Sequence, residues 1–146
     1  MIPFRLLIID DDARVLQVLS RIVTHQLHNV LVDTAPGAQT ALRLLKATNY
    51  DTVLTDFMMP EMTGASLIRR IRELGLSTPI ILMSGILNLS ERDPSSDVFA
   101  YLSKPIDHRV LINTLSRSMS HARTYRQSIG RLNNTELLVY AHCYGD

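Results

Sequence analysis

Tryptophan is absent from this chain of 146 residues, cysteine occurs once, and aromatic residues make up only 5% of the sequence. The lone Cys143 excludes a disulfide within the chain and a cysteine-rich metal site, and we interpret it as a small apolar residue. No apolar run approaches the roughly 20 residues that a membrane-spanning helix needs. The sequence therefore excludes disulfide-stabilised and membrane-spanning classes of protein.

A strong charge of either sign is also missing, because the formal net charge is only +1 at pH 7. No overall field then attracts nucleic acid or an anionic membrane. The first apolar stretch, in "MIPFRLLIIDDD", is too short for a secretory signal and runs into acids. We expect a soluble, cytoplasmic protein that by itself binds neither nucleic acid nor a membrane.

Short apolar runs recur along the chain with helical segments between them. Continuous apolar strands are typical of a parallel sheet that is covered on both faces. The runs predict strands at 4–9, 52–55, 79–84 and 99–103, and a weaker, alternating run at 30–34 predicts a strand at or near an edge. The pattern favours an α/β fold with a doubly wound, five-stranded parallel sheet, in one domain with at most a short appendage.

The spacing of apolar residues between these strands predicts the helices. They lie at 15–27 behind Asp12 as an N-cap, at 38–48, at 65–74 before Gly75, and at 106 to about 127. In the last helix, we expect Val110, Leu111, Leu115 and Met119 to face inward. Residues 85–98 have poor periodicity and an internal proline, so we expect a short, irregular element where the fold would place its fourth helix.

Charged and hydroxyl side chains follow the ends of the predicted strands. They are Asp10, Asp11 and Asp12 after the first strand, Asp56 after the third, Ser84 after the fourth and Lys104 after the fifth. Because ligands bind at the carboxyl ends of parallel strands, we expect these side chains to share one rim. Carboxylates gathered there repel one another unless a cation compensates them. Asp12 is more simply explained as the helix cap.

The chemistry of this rim suits magnesium and phosphoryl transfer. Mg2+ prefers oxygen ligands and is usually held by one or two carboxylates together with phosphate oxygens. A hydroxyl and an ammonium also suit phosphate oxygens, and a carboxylate can accept a phosphoryl group as an acyl phosphate. Two classes of function fit these groups. One is a signalling switch, and the other is a magnesium-dependent phosphohydrolase that acts through an aspartyl-phosphate.

Four segments carry a resemblance to a known family: "LLIIDDDAR", "DTVLTDFMMPEMTG", "ILMSG" and "YLSKPI". In this order, and over roughly residues 4–125, they resemble the receiver domain of two-component response regulators. The resemblance implies a flavodoxin-like (βα)5 fold, with a receiver domain at 1–125 and a C-terminal extension or linker at 126–146. It also implies a sensor histidine kinase or a histidine phosphotransfer protein as the phosphoryl donor.

The same resemblance implies a role for each acid of the rim. Asp56 would be the phosphoacceptor. Asp10 and Asp11, together with Asp56 and the backbone carbonyl of Met58, would hold Mg2+. These are the ligands that we carry over from the family to this sequence.

Further positions match the family's switch residues and its site loops. Ser84 and Lys104 would bind the phosphoryl group, and Tyr101 would change rotamer with Ser84. Residues with a structural role at the site would be Pro60, Gly64 and Pro105. We expect Gly64 to supply backbone freedom, and Pro105 to follow a cis peptide that aims Lys104 inward.

Two departures from the family's pattern bear on function. Met58 and Ile86 occupy the positions that flank the attacking water, and neither can orient water, so we predict slow autodephosphorylation. Thr63 stands where many receivers have aspartate, and we expect it to cap the third helix instead. Met58 also stands where a phosphohydrolase would have a second acid, which favours the switch over the enzyme.

The C-terminal part is basic, with five arginines and no acid between residues 108 and 135. We interpret this run as a solvated helix face. A heptad-like seam is formed by Leu111, Leu115, Ala122, Tyr125, Ile129 and Leu132. It predicts an extended final helix that docks on a partner or on a second protomer, as a homodimer. The chain is then either a stand-alone receiver or the receiver end of a longer regulator.

Overall fold

Five strands and four helices make up the described part of the chain. The computed structural model describes residues 2–85 and 98–131. The strands are β1 (Phe4–Ile9), β2 (Val30–Ala35), β3 (Thr52–Asp56), β4 (Ile80–Ser84) and β5 (Ala100–Ser103). The helices are α1 (Ala13–Gln26), α2 (Ala38–Ala47), α3 (Gly64–Glu73) and α4 (His108–Arg131). The predicted irregular element lies almost wholly outside the described residues.

The strands form one parallel sheet in the order β2-β1-β3-β4-β5. The chain runs from β1 outward to β2 and then returns to β3 on the other side of β1. Such a reversal of strand order opens a crevice at the carboxyl ends of β1 and β3. The doubly wound, flavodoxin-like fold is confirmed, and so is the prediction that β2 lies at an edge.

Helices cover both faces of the sheet and create two separate hydrophobic cores. Leu7 and Ile9 of β1 pack on the side of α2 and α3, whereas Leu6 and Ile8 pack on the side of α1 and α4. All four side chains have no solvent exposure. Burying such a side chain contributes about 1.5–3 kcal/mol, which explains why this strand is apolar at consecutive positions.

Two predicted helix caps are present. The Asp12 side chain accepts a hydrogen bond from the backbone N–H of Arg14 at 2.9 Å, at the start of α1. Thr63 accepts one from the backbone N–H of Ser66 at 3.2 Å, at the start of α3. The prediction that Thr63 caps this helix is therefore confirmed.

The final helix differs from the prediction in its bounds and in one residue of its buried face. It begins at His108 and reaches Arg131, beyond the predicted end. Leu111 and Leu115 are fully buried, but Val110 is 49% exposed. The prediction that Val110 faces inward was therefore wrong. Thr114 and Ser118 lie on the buried face instead. A turn of 3.6 residues places positions 111, 114, 115 and 118 on one side and turns position 110 away.

The predicted heptad-like seam is wrong at its first two positions. Leu111 and Leu115 pack against the sheet and are not available to a second protomer. Ala122 is half-buried and Tyr125 is 37% exposed, while the side chains of Ile129 and Leu132 lie outside the described part. The predicted domain boundary at 125/126 falls inside α4 and stays a prediction. No helix among the described residues is long and apolar enough to span a membrane.

Candidate functional site

Four of the predicted site residues meet at the carboxyl edge of the sheet because each ends a strand or follows one directly. Asp10 follows β1, Asp56 and Ser84 are the last residues of β3 and β4, and Lys104 follows β5. Asp11 extends the site toward solvent. The rim that the sequence predicts is therefore the rim that the structure forms.

Three carboxylates form a tight cluster at this rim. One oxygen from each of Asp10, Asp11 and Asp56 lies within 4.8 Å of the others. Asp10 and Asp56 are only 1% and 7% exposed, whereas Asp11 is exposed. Backbone N–H groups two residues further along donate to the buried pair, from Asp12 to Asp10 Oδ1 at 2.9 Å and from Met58 to Asp56 Oδ1 at 3.3 Å. These bonds orient both buried carboxylates.

Lys104 supplies a positive charge between the two buried acids. Its Nζ lies 3.2 Å from Asp56 Oδ2 and 3.4 Å from Asp10 Oδ2. Burial by itself lowers the pKa of Lys104, but the charges of Asp10 and Asp56 outweigh it and raise that pKa. The ammonium therefore stays protonated at neutral pH.

The buried Asp10 carboxylate is held at an energetic cost. Burial raises the pKa of Asp10, and the nearby charge of Asp56 raises it further. The N–H of Asp12 and the ammonium of Lys104 offset only part of this shift. A buried carboxylate whose negative charge is only partly compensated by neighbouring groups is typical of a binding or catalytic site.

The donor set fits a magnesium ion. Mg2+ takes oxygen ligands at about 2.0–2.1 Å in an octahedron, so opposite ligands are about 4 Å apart. The oxygens of Asp10, Asp11 and Asp56, all within 4.8 Å of one another, need only small side-chain movements to reach that geometry. Three carboxylates facing one ammonium also leave a negative charge that a divalent cation neutralises. This cluster can therefore hold a metal.

Ser84 and Tyr101 lie on the strands beside the acids. Ser84 is 6% exposed, and its carbonyl accepts the backbone N–H of Lys104 at 2.8 Å, which fixes the start of the loop after β5. Tyr101 is half-buried against the core on the α2 and α3 side. The peptide between Lys104 and Pro105 is cis, as the resemblance implies.

The loop that follows Asp56 is held by a close backbone approach at Gly64. The N–H of Gly64 donates to the carbonyl of Phe57 at 2.6 Å. A Cβ atom at Gly64 would lie 2.9 Å from Leu82 Cδ2 and 2.9 Å from Phe57 Cα. Among the described residues, the positive-φ glycine is Gly75. Lack of space, and not backbone freedom, therefore requires glycine at position 64.

Sequence reasoning missed the backbone groups of the site. The N–H groups of Asp12 and Met58 orient the acids, but a backbone donor has no residue-type signal. A signal does exist in the spacing, because aspartate often binds the N–H two residues further on. Within the loop, Pro60 and Met58 are exposed, whereas Met59 is buried and anchors the loop in the core.

Known proteins share this sequence pattern and fold. The family model of the response regulator receiver domain matches residues 6–116. The transcriptional regulatory protein DltR of Streptococcus agalactiae is 27% identical over 140 residues, which cover 94% of this chain and 62% of DltR. The chain thus spans less than two thirds of that relative.

Solved structures show the same fold. The signal receiver domain of an HD domain-containing protein from Pseudomonas fluorescens Pf-5 matches with a TM-score of 0.75 at 26% identity, covering 84% of this chain and 98% of that one. The response regulator TrrA from Thermotoga maritima, solved in complex with Mg(2+)-BeF, matches with a TM-score of 0.69 at 24% identity, covering 79% of this chain and 98% of that one. With a family model that matches most of its length, this chain belongs to the response regulator receiver domains of two-component systems.

Proposed function

We propose that this chain is a phosphoacceptor switch whose Asp56 receives a phosphoryl group in a Mg2+-dependent step. A sensor histidine kinase or a histidine phosphotransfer protein is the donor. The observation that carries the proposal is the position of the Lys104 ammonium, 3.2 Å from Asp56 and 3.4 Å from Asp10, beside three clustered carboxylates. This arrangement supports an incoming phosphoryl group at Asp56.

Each residue of the rim has its own role in the phosphoryl transfer. A carboxylate oxygen of Asp56 attacks the phosphorus, the bond from phosphorus to the donor's histidine nitrogen breaks, and the imidazole stays with the donor. Asp10, Asp11, Asp56 and the Met58 carbonyl are the proposed Mg2+ ligands. The metal, when bound, neutralises charge on the phosphoryl oxygens. The Met58 N–H holds Asp56 Oδ1 in place during the attack.

Phosphorylation changes the contacts of Lys104 and Ser84. The acyl phosphate removes the carboxylate charge that Lys104 faces at Asp56 and replaces it with phosphoryl oxygens. We propose that Lys104 and the Ser84 hydroxyl then bind these oxygens and that Tyr101 responds to the movement of Ser84. Contacts that differ between the two states shift a pre-existing equilibrium of the partner-binding surface. A homodimer remains a prediction, restricted to the part of α4 beyond Ala122.

Acetyl phosphate tests the proposal. With Mg2+, we expect intact mass spectrometry to show one phosphoryl group per chain, located on Asp56 by peptide mapping. The label should be absent in EDTA and in Asp56→Asn. The matched control is Asp51→Asn at the other end of β3, where an amide oxygen can still accept the N–H of Arg5. That variant should be labelled like the wild type.

The same experiment separates the two classes of function. Continuous release of phosphate without accumulation of the label on Asp56 would favour a phosphohydrolase, and labelling at a residue other than Asp56 would contradict the proposal. After removal of acetyl phosphate, we expect the label to decay slowly because Met58 is apolar and 64% exposed at the site. A half-life of seconds would contradict slow decay, but not the switch itself.

A further inference from the structure

Met58 is the most exposed methionine in the part of the chain that the structure describes. It is 64% exposed, whereas Met59, Met83 and Met119 are at most 8% exposed. Met62 is partly buried against the core on the side of α2 and α3. A dissolved oxidant therefore reaches the sulfur of Met58 more easily than the sulfur of these four residues.

Met58 also lies beside the phosphoacceptor. Its backbone N–H donates to Asp56 Oδ1 at 3.3 Å. The Cα atom is bonded to that nitrogen at about 1.46 Å, so it lies within about 5 Å of the carboxylate oxygen. A methionine side chain is unbranched, has three rotatable bonds, and can reach over the carboxylate from there. Since Asp56 is only 7% exposed, Met58 is the more accessible side chain of the two.

Water must approach a phosphoryl group on Asp56 from the solvent side, where Met58 is exposed. In hydrolysis the water oxygen attacks phosphorus, and the bond between phosphorus and the Asp56 oxygen breaks. Inorganic phosphate leaves, the Asp56 carboxylate is restored, and one proton is released to solvent. A thioether sulfur is only a weak hydrogen-bond acceptor. In its reduced form, Met58 therefore gives the approaching water no strong partner.

Oxidation by a peroxide would reverse this property of the Met58 side chain. Hydrogen peroxide transfers one oxygen atom to the thioether sulfur and leaves as water, so the sulfur loses two electrons and the peroxide gains them. The product is a polar sulfoxide, whose oxygen accepts hydrogen bonds. Reductases specific for methionine sulfoxide return the side chain to the thioether, so the modification is reversible. Because Met58 is exposed, the polar product disturbs no packed core.

We propose that Met58 is a peroxide-oxidation site that sets the lifetime of the phosphoryl group on Asp56. In the sulfoxide form, the new oxygen holds a water molecule beside the phosphoryl group, and hydrolysis accelerates. In the thioether form, the phosphoryl group persists. This role rests on the proposed phosphorylation of Asp56 and adds a peroxide as a second chemical signal. The backbone carbonyl of Met58, a proposed Mg2+ ligand, is chemically unchanged by the oxidation.

The lifetime of the phosphoryl group before and after oxidation tests this role. The full chain carries Cys143→Ser, which removes the thiol that peroxide also oxidises. After treatment with hydrogen peroxide, peptide mapping should find the sulfoxide at Met58. The chain is then freed of peroxide, phosphorylated with acetyl phosphate and Mg2+, and followed by intact mass spectrometry. We expect the half-life of the phosphoryl group to fall by about fivefold, the effect of one added hydrogen bond.

The matched control is Met58→Leu in the same chain, because leucine is apolar, similar in volume and unable to form a sulfoxide. Within this variant, peroxide should leave the half-life unchanged, although the other methionines remain. In the chain that retains Met58, treatment of the oxidised form with methionine sulfoxide reductase should restore the longer half-life. An equal half-life with and without the Met58 sulfoxide would overturn the proposal. Equal shortening by peroxide in Met58→Leu would also overturn it.

Failure of this role and failure of the proposed function give different results. If the untreated chain accepts no phosphoryl group on Asp56, both proposals are overturned. If the untreated chain is labelled on Asp56 but peroxide oxidises Met59 or Met62 ahead of Met58, only the oxidation site is overturned. The phosphoacceptor role then stands, because it is measured before any peroxide is added.

Discussion

Both ends of β3 bury polar side chains, but the two sets of side chains differ in charge. At its start, Thr52 is fully buried, and its hydroxyl donates to the Asp51 carbonyl at 2.8 Å and pairs with the hydroxyl of Ser118 on α4. At its end, Asp56 is 7% exposed and shares one ammonium, Lys104, with Asp10. The buried hydroxyl groups at the first end are neutral and hydrogen-bonded within the chain, whereas the buried carboxylates at the second end carry negative charge that Lys104 balances only in part.

The same contrast holds for the titratable groups near the two edges. Tyr50, which precedes β3, donates its hydroxyl to Asp33 at 2.6 Å, and burial together with this hydrogen bond raises its pKa to about 12. It therefore stays neutral. Asp10 also has a raised pKa because of burial, but it faces two further acids that need a cation. Buried polar groups at the amino edge stabilise the fold, whereas the buried acids at the carboxyl edge form a cluster that can hold a cation.

The substitution Asp10→Asn should change both the Mg2+ affinity of the acid cluster and the stability of the fold. We expect Mg2+ affinity to fall by about tenfold or more, because Asp10 is a proposed ligand and the loss of a residue that merely supports a ligand already costs about 10- to 100-fold. Because burial disfavours the ionised form of Asp10 and raises its pKa, the metal-free variant should have a higher free energy of unfolding than the wild type at neutral pH. Calorimetric Mg2+ titration and urea unfolding measure the two effects.

The control for this change is Asp12→Asn, which removes one charge two residues away. Asparagine caps a helix as well as aspartate does, so α1 keeps its cap. We expect wild-type Mg2+ affinity in this control. If Asp10→Asn bound Mg2+ as tightly as the wild type, the assignment of Asp10 as a ligand would be wrong.

Gly64→Ala should destabilise the fold by about 3 kcal/mol, because a Cβ atom there meets Leu82 and the Phe57 backbone at 2.9 Å. Urea unfolding measures this loss. The matched control is Gly85→Ala on the same rim, where no residue in the described part of the chain lies within 4 Å of the added atom. We expect the control to stay within about 0.5 kcal/mol of the wild type. Equal effects in both variants would refute the steric explanation.

Thr52→Val should cost about 2 kcal/mol, since it leaves the buried Ser118 hydroxyl without its partner on β3. Adding Ser118→Ala should recover part of this loss, because both polar groups of the pair are then removed. Denaturant unfolding of the two single variants and the double variant forms a complete cycle. Strictly additive losses would show that the two hydroxyls do not act as a pair.

Tyr50→Phe should cost about 1 kcal/mol at neutral pH through loss of the hydrogen bond to Asp33. The raised pKa of Tyr50 adds stability that is fully present below about pH 10 and is lost as the pH rises through about 12. The stability difference between wild type and variant should therefore shrink over this range. A constant difference in unfolding experiments across these pH values would contradict the neutral, hydrogen-bonded phenol.

Local patterns account for what the sequence predicted correctly. The apolar runs of β1 and β4 are continuous because both faces of these strands are covered. The caps at Asp12 and Thr63 depend only on the next few residues, so their residue type is a sufficient signal. The side chains of the rim were also predictable, because the parallel orientation of the strands places all of their carboxyl ends at one edge.

Helical spacing was a weaker guide to orientation. In α4, apolar residues cover more of the surface than one helix face can bury. Val110 and Leu111, for example, are adjacent in sequence and both apolar. Only packing against the sheet decides that Leu111 is buried and that Val110 is half-exposed. The interpretation of Leu111 and Leu115 as a docking seam failed for the same reason.

The sequence by itself determined the order of strands and helices, their caps, and which acids and which lysine reach the carboxyl edge, because these follow from patterns within short stretches. The tertiary structure decided which of those charged groups form ion pairs. That Lys104 lies between Asp10 and Asp56, and that Gly64 has no room for a Cβ atom, depends on distances between strands far apart in the chain. Burial and electrostatic energy act through such distances, and no local pattern encodes them.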